Sequence, residues 1–96
     1  MTRVPDKFTI TDSALRLIIA NLADRTGHLA YVCWKKNLAV SGEILSEGWS
    51  VITFEEREND DPVEFLGVRF LFDPHRCHEL VGKTLDWIDG HGFRIT

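Results

Sequence analysis

The chain has 96 residues, 44% of them apolar, and a formal net charge of −4. That length allows one domain with one core, that apolar share argues against disorder, and the negative balance argues against nucleic acid as a partner. No apolar run approaches the roughly 18 residues of a membrane-spanning helix, and Met1-Thr2-Arg3-Val4-Pro5-Asp6 has no signal-peptide core. The expected address is cytoplasmic, with Cys33 and Cys77 kept as thiols.

Residues 1–7 read as a loose lead-in to a single domain over 8–96. Phe8-Thr9-Ile10 is a short extended stretch, and Thr11 or Asp12 can cap the helix that follows. Leu15, Ile18, Ile19 and Leu22 recur at helical spacing, one apolar stripe on about three turns, with Gly27 as the stop. His28 to Trp34 reads as a strand apolar on both faces. Leu29, Tyr31 and Cys33 point one way, and Ala30, Val32 and Trp34 the other, so other elements should cover both sides. Lys35-Lys36-Asn37 reads as a polar break. Leu38 to Val40 is then a second short strand turned by Ser41-Gly42, and Trp49 to Phe54 the next strand.

Glu55 to Pro62 is an acidic connection, read as a solvated loop, with an electrostatic docking patch as the alternative. Val68, Phe70 and Phe72 alternate with Arg69, Leu71 and Asp73 in a well-patterned strand. Asp73-Pro74 opens a short helix, Asp as the cap and Pro at the first position. Leu80 and Val81 give its buried side and Gly82 stops it. Thr84 to Ile88 and Phe93 to Ile95 are strands joined by the reversal Asp89-Gly90-His91-Gly92. Trp34 and Trp87 read as core or rim, and Trp49 as partly exposed. The sum is a β-rich α+β domain with one long N-terminal helix, six or seven short strands and one short C-terminal helix.

The last third carries Gly67-Val68-Arg69-Phe70-Leu71-Phe72-Asp73, then Leu80-Val81-Gly82, then Leu85-Asp86-Trp87 and Gly92-Phe93. This run resembles the C-terminal core of the HesB/IscA-like (A-type) iron–sulfur assembly family, and the resemblance extends over residues 8–95. It implies a β-rich α+β pseudobarrel or sandwich that carries iron or an iron–sulfur cluster. The ligands it implies are a Cys-Ser-Gly segment in mid-chain and a Cys-Gly-Cys tail, since soft thiolate sulfur suits iron and sulfide. Val40-Ser41-Gly42 matches the first, with Val40 at the ligand position. Nothing after Ile95 matches the second before the sequence stops at Thr96. The expectation is a degenerate member lacking the usual cysteine ligands.

Cys33 reads as a small buried hydrophobe. Cys77 lies in His75-Arg76-Cys77-His78-Glu79 at the predicted start of the second helix, where the helix N-terminus and neighbouring cations lower a thiol's pKa. On a helix His75, His78 and Glu79 share a face. His75, Cys77 and His78 are therefore the candidate metal ligands, with Cys77 the candidate for holding a cluster. The plainer alternative is a solvated polar face with Cys77 turned inward beside Leu80 and Val81. His28 and His91 read as ordinary turn residues.

No serine sits in a nucleophile frame and no phosphate-cradling Gly-rich loop is present, so no enzyme is expected. Two functional expectations remain. One is a non-catalytic protein of iron–sulfur assembly, taking iron or a cluster through Cys77, His75 or His78 across a dimer. The other is an interaction module of the same fold that binds no metal. Thiol chemistry at Cys77 is a distant third. A protein partner or a homodimer is expected, with no nucleic acid and no membrane. No cofactor is certain, and iron or an iron–sulfur cluster is the one implied.

Overall fold

The computed structural model describes residues 2–96, arranged as two mixed sheets and one α-helix. In chain order the elements are β1 (Thr9–Ile10), α1 (Asp12–Leu22), β2 (His28–Leu38), β3 (Ile44–Glu55), β4 (Val63–Phe65), β5 (Val68–Phe72), β6 (Thr84–Ile88) and β7 (Gly92–Ile95). One sheet runs β3-β2-β5-β4 and the other β1-β6-β7. Each contains one parallel pair, β2 with β5 and β1 with β6.

One core takes side chains from both sheets and the helix: Ala14 and Ile18 of α1, Ala30 and Val32 of β2, Phe70 and Phe72 of β5, and Leu85 of β6. Phe70 is inaccessible, stacked on Phe72 at 5.8 Å, and Phe8 meets Phe72 edge-on at 5.6 Å. Each such ring contributes about 2–3 kcal/mol by leaving water. β5 follows its alternation closely, with Val68, Phe70 and Phe72 buried and Arg69 exposed.

Thr11 is the cap of α1, its hydroxyl accepting the Ala14 N–H at 3.4 Å. The helix ends at Leu22 instead of running to Gly27. Asp24, Arg25 and Thr26 form turns there, through Arg25 N–H to Leu22 O and His28 N–H to Arg25 O. Asp and Thr compete with the helical backbone for its own hydrogen bonds, which favours this stop. Gly27, at φ +79, carries the chain into β2. The buried line of the helix is Ala14 and Ile18, while Ile19 is 47% exposed. The stripe is therefore narrower than its spacing suggested, because α1 rests on β6 and β2 along one edge.

Lys35-Lys36-Asn37 does not break β2, and Leu38 begins no new strand. The hairpin pairs from His28↔Glu55 to Leu38↔Ile44, with Trp34 opposite Trp49, Lys36 opposite Glu47, and Asn37 Nδ2 donating to Ser46 Oγ at 2.9 Å. β5 pairs with β2 only as far as Val32↔Phe72. Beyond that point the hairpin projects past the core, so polar residues suit both of its faces. Two of the strands, β2 with 11 residues and β3 with 12, are accordingly long.

β4, which no alternation announced, is joined to β5 through Leu66 and Gly67. Both have positive φ, 54° and 79°, the turn geometry that matches strand twist. The second helix is a single 3-10 turn, Cys77–Leu80. Asp73 Oδ1 takes the His75 N–H at 2.9 Å, a local turn that satisfies the capping chemistry without a helix. The few residues between Pro74 and Gly82 are too short a run to recover the cost of helix nucleation.

Asp86 of β6 ties the sheet to the start of α1. Its Oδ1 accepts from Thr11 Oγ1 at 2.7 Å, the Trp87 N–H at 2.8 Å and Ser13 Oγ at 3.3 Å. The Thr11 hydroxyl, then the Trp87 N–H and Ser13, hold its carboxyl below the ordinary value of 3.8. The folded value lies below the unfolded one, so this stabilisation is present above the ordinary value and is lost as pH falls through the folded one. Asp86→Asn should flatten the acid limb of stability against pH in urea melts. Thr11→Ala should cost about 1 kcal/mol at neutral pH.

Candidate functional site

The two thiols sit on separate elements in unlike settings. Cys33, on β2 opposite Ser50, is 8% exposed. Burial first, then Asp73, pushes its thiol up from the ordinary 9.0, with Lys35 opposing. Both leading causes disfavour the thiolate that a soft metal requires. Cys77 opens the 3-10 turn half-buried and packs against the core, its Sγ 4.0 Å from the Pro74 carbonyl.

His75 precedes that turn and is exposed, as are His78 and Glu79. The helical face that would align His75, His78 and Glu79 does not form, because the segment makes one tight turn. Cys77 and His78 do border one cavity of about 240 Å³, with Val4, Pro5 and Val81 as its apolar wall. Among the described residues, no three His, Cys, Asp or Glu side chains gather into a set that could hold a metal ion.

Val40-Ser41-Gly42 forms the tip of the β2–β3 hairpin. The Ala39 N–H donates to Glu43 O at 2.8 Å, and the Gly42 N–H donates to Ala39 O at 2.9 Å. Gly42 has φ +88, a conformation that side chains rarely adopt, so the turn depends on it. Val40 is fully exposed, and Leu38, Ile44 and Leu45 are each more than half exposed. Four large apolar side chains therefore crowd one hairpin end. The outer edge of β3 has no hydrogen-bonded strand neighbour among the described residues.

The base of the hairpin is aromatic. Trp34 and Trp49 meet edge-on at 5.6 Å, the Arg76 guanidinium lies 4.3 Å over Trp34, and Trp34 Nε1 donates to Glu47 at 3.4 Å. In the other sheet Trp87 packs on Phe93 at 4.9 Å and donates from Nε1 to Asp89 at 3.0 Å. Where β3 passes β7, cavities of about 440 and 330 Å³ open along the seam. Trp87 and His91 border the first, Trp34 and Arg94 the second, and Trp49 and Phe93 both. No motif spacing joins these three tryptophans. The long hairpin register and the contact of β3 with β7 bring them together.

No protein-family model matches the chain, and no curated protein does. Solved structures do. The crystal structure of Escherichia coli SufA, described as involved in biosynthesis of iron–sulfur clusters, superposes with a TM-score of 0.60 at 17% identity, over 93% of this chain and 81% of that one. The fold is HesB/IscA-like. A protein from Aquifex aeolicus, solved by NMR in solution, superposes with a TM-score of 0.55 at 20% identity, over 100% of this chain and 96% of that one. At such identities the likeness lies in the path of the backbone.

On this HesB/IscA-like scaffold the turn residues Ser41 and Gly42 sit at an exposed loop tip, while neither thiol does. A thiol titration under native conditions should therefore modify Cys77 first and reach Cys33 only after denaturation. Cys77→Ser should remove the native-state reaction altogether.

Proposed function

We propose that this chain is a non-catalytic protein of the iron–sulfur assembly setting that works by contact with other proteins, without cluster ligation by thiolates of its own. The observation that carries the reading is the hairpin tip. The position matched to a ligand cysteine holds Val40, fully exposed and flanked by exposed Leu38, Ile44 and Leu45. A cluster held by protein needs several soft donors converging on it. Here one thiol is buried in β2 with its proton favoured, and the other packs against the core.

Exposed apolar side chains crowded on a projecting element are characteristic of contact surfaces. The edge of β3, with no strand neighbour among the described residues, adds backbone groups that an extended partner strand can use. The setting itself is taken from the likeness to SufA, whose structure is described as that of a protein in iron–sulfur cluster biosynthesis. A protein partner or a second copy of the chain fits this surface equally well.

A second reading keeps iron or an iron–sulfur cluster as cargo, held by Cys77 with His75 or His78 across a dimer. The shared cavity of Cys77 and His78 favours it. Anaerobic incubation with ferrous iron and sulfide, followed by visible absorption and metal analysis, separates the two. The first reading expects no charge-transfer band and an unchanged melting curve. A stoichiometric cluster whose band disappears in Cys77→Ala would establish the second and overturn the first.

A further inference from the structure

The side of the β3-β2-β5-β4 sheet opposite the core holds a cavity of about 390 Å³. Its walls are Tyr31 of β2, Phe54 of β3 and Leu71 of β5, all on the pleat facing away from Ala30 and Val32. The loop after β3 roofs it through Asn59, Asp60 and Asp61. The Tyr31 and Phe54 rings stand perpendicular, 5.9 Å apart.

The negative charge around this cavity comes from the loop after β3 and from Asp73. The loop carries Glu56, Glu58, Asp60 and Asp61 with Arg57 among them; Asp60 and Asp61 border the cavity, and Asp61 Oδ2 accepts the Thr2 N–H at 3.3 Å. Glu56 is paired with Arg69 of β5 at 2.8 Å. Asp60 uses Oδ2 to accept the Arg57 N–H at 2.7 Å, a bond that shapes the loop and leaves the charge in place. Asp73 acts from the end of β5. Burial first, and then Asp73, raises the Tyr31 hydroxyl above its ordinary 10.0. The chain's own cation already finds one of the rings, since the Arg57 guanidinium carbon lies 6.0 Å from the Phe54 centroid.

We infer that this cavity docks an arginine or lysine side chain presented by a basic segment of a protein partner. Aromatic faces attract cations, and carboxylates at the roof add an attraction that salt screens. With Glu56 matched by Arg69, the loop's remaining charge is spread over Glu58 and Asp60 at alternate positions. That spread favours a run of basic residues, one of them seated in the cavity against the rings. The site lies on a different face from the hairpin tip, so it stands or falls without that reading.

The test is a titration of the full chain with a peptide of alternating glycine and arginine, followed by backbone and aromatic NMR shifts. Saturable shifts at Tyr31, Phe54 and Leu71 are expected, weaker at high salt. The same peptide with glutamine for arginine should leave them unmoved. Phe54→Leu, and separately Asp60→Asn, which keeps an acceptor for the Arg57 N–H, should each weaken binding about tenfold with melting unchanged. Tyr31→Leu replaces Phe54→Leu if that variant is unstable. Equal shifts with the glutamine peptide, or shifts spread over other acidic residues and indifferent to these substitutions, would overturn the assignment. Free arginine amide binding as tightly as the peptide would overturn the choice of a protein segment.

Discussion

Leu29 and Ala30 are neighbours in β2, point to opposite sides of the sheet, and are both inaccessible to solvent, so this strand needs cover on two faces at once. On the core side the cover is α1 and Leu85 of β6. On the other side Phe54 stands on the pleat of Leu29 and Tyr31, and the acidic loop passes over Tyr31 and Phe54. Pairing β2 in parallel with β5 imposes the rest of the topology. Two parallel neighbours cannot be joined by a tight turn. The chain must leave along β3, cross the sheet by the loop, and return through β4. The acidic segment is thus at once the crossover and the roof of the outer face, which places its charge over aromatic rings.

The same topology accounts for the hairpin. β5 accompanies β2 for only a few residues, yet β2 and β3 continue to pair with each other well beyond it. That half of the ribbon has no sheet to rest on. A two-stranded ribbon alone is marginal in water. The cross-strand pair Trp34–Trp49, the cation of Arg76 over Trp34, and the approach of β7 to β3 brace its base. Its far end has no such brace and still carries Leu38, Val40, Ile44 and Leu45 in solvent.

Legibility in the sequence tracks how local the determining physics is. β5 was readable because its alternation meets a core on one side. The cap was readable only as Thr11 or Asp12, because either side chain before an apolar stripe can accept the free N–H groups, and the structure selects Thr11. The reversal at Asp89–Gly92 was readable from its glycines. Hairpin length was not. Lys35, Lys36 and Asn37 are strand residues solvated on both faces, a pattern that looks like a loop because strand alternation reports one-sided burial. Asp73-Pro74 misled for a different reason, since one Asx turn and the first turn of a helix use the same side-chain bond. Cys33's burial followed from its apolar neighbours. The conformation around Cys77 depended on the turn just upstream, and the grouping of Trp34, Trp49 and Trp87 on a register set across the whole chain.

Thiolate chemistry and protein contact make opposite demands on a loop tip. A cluster ligand needs a thiol that loses its proton readily and backbone that brings several donors to one point. A contact surface needs apolar area that stays dry once covered. Gly42 keeps a turn here that either use would accept, so the backbone does not discriminate between them. The side chains do. Val40 brings no soft donor to the tip. Surrounding it with leucine and isoleucine then adds a cost in water that nothing in the isolated chain offsets. That cost is recovered only when another surface covers the tip, and it is the physical argument for reading the hairpin as a place of attachment.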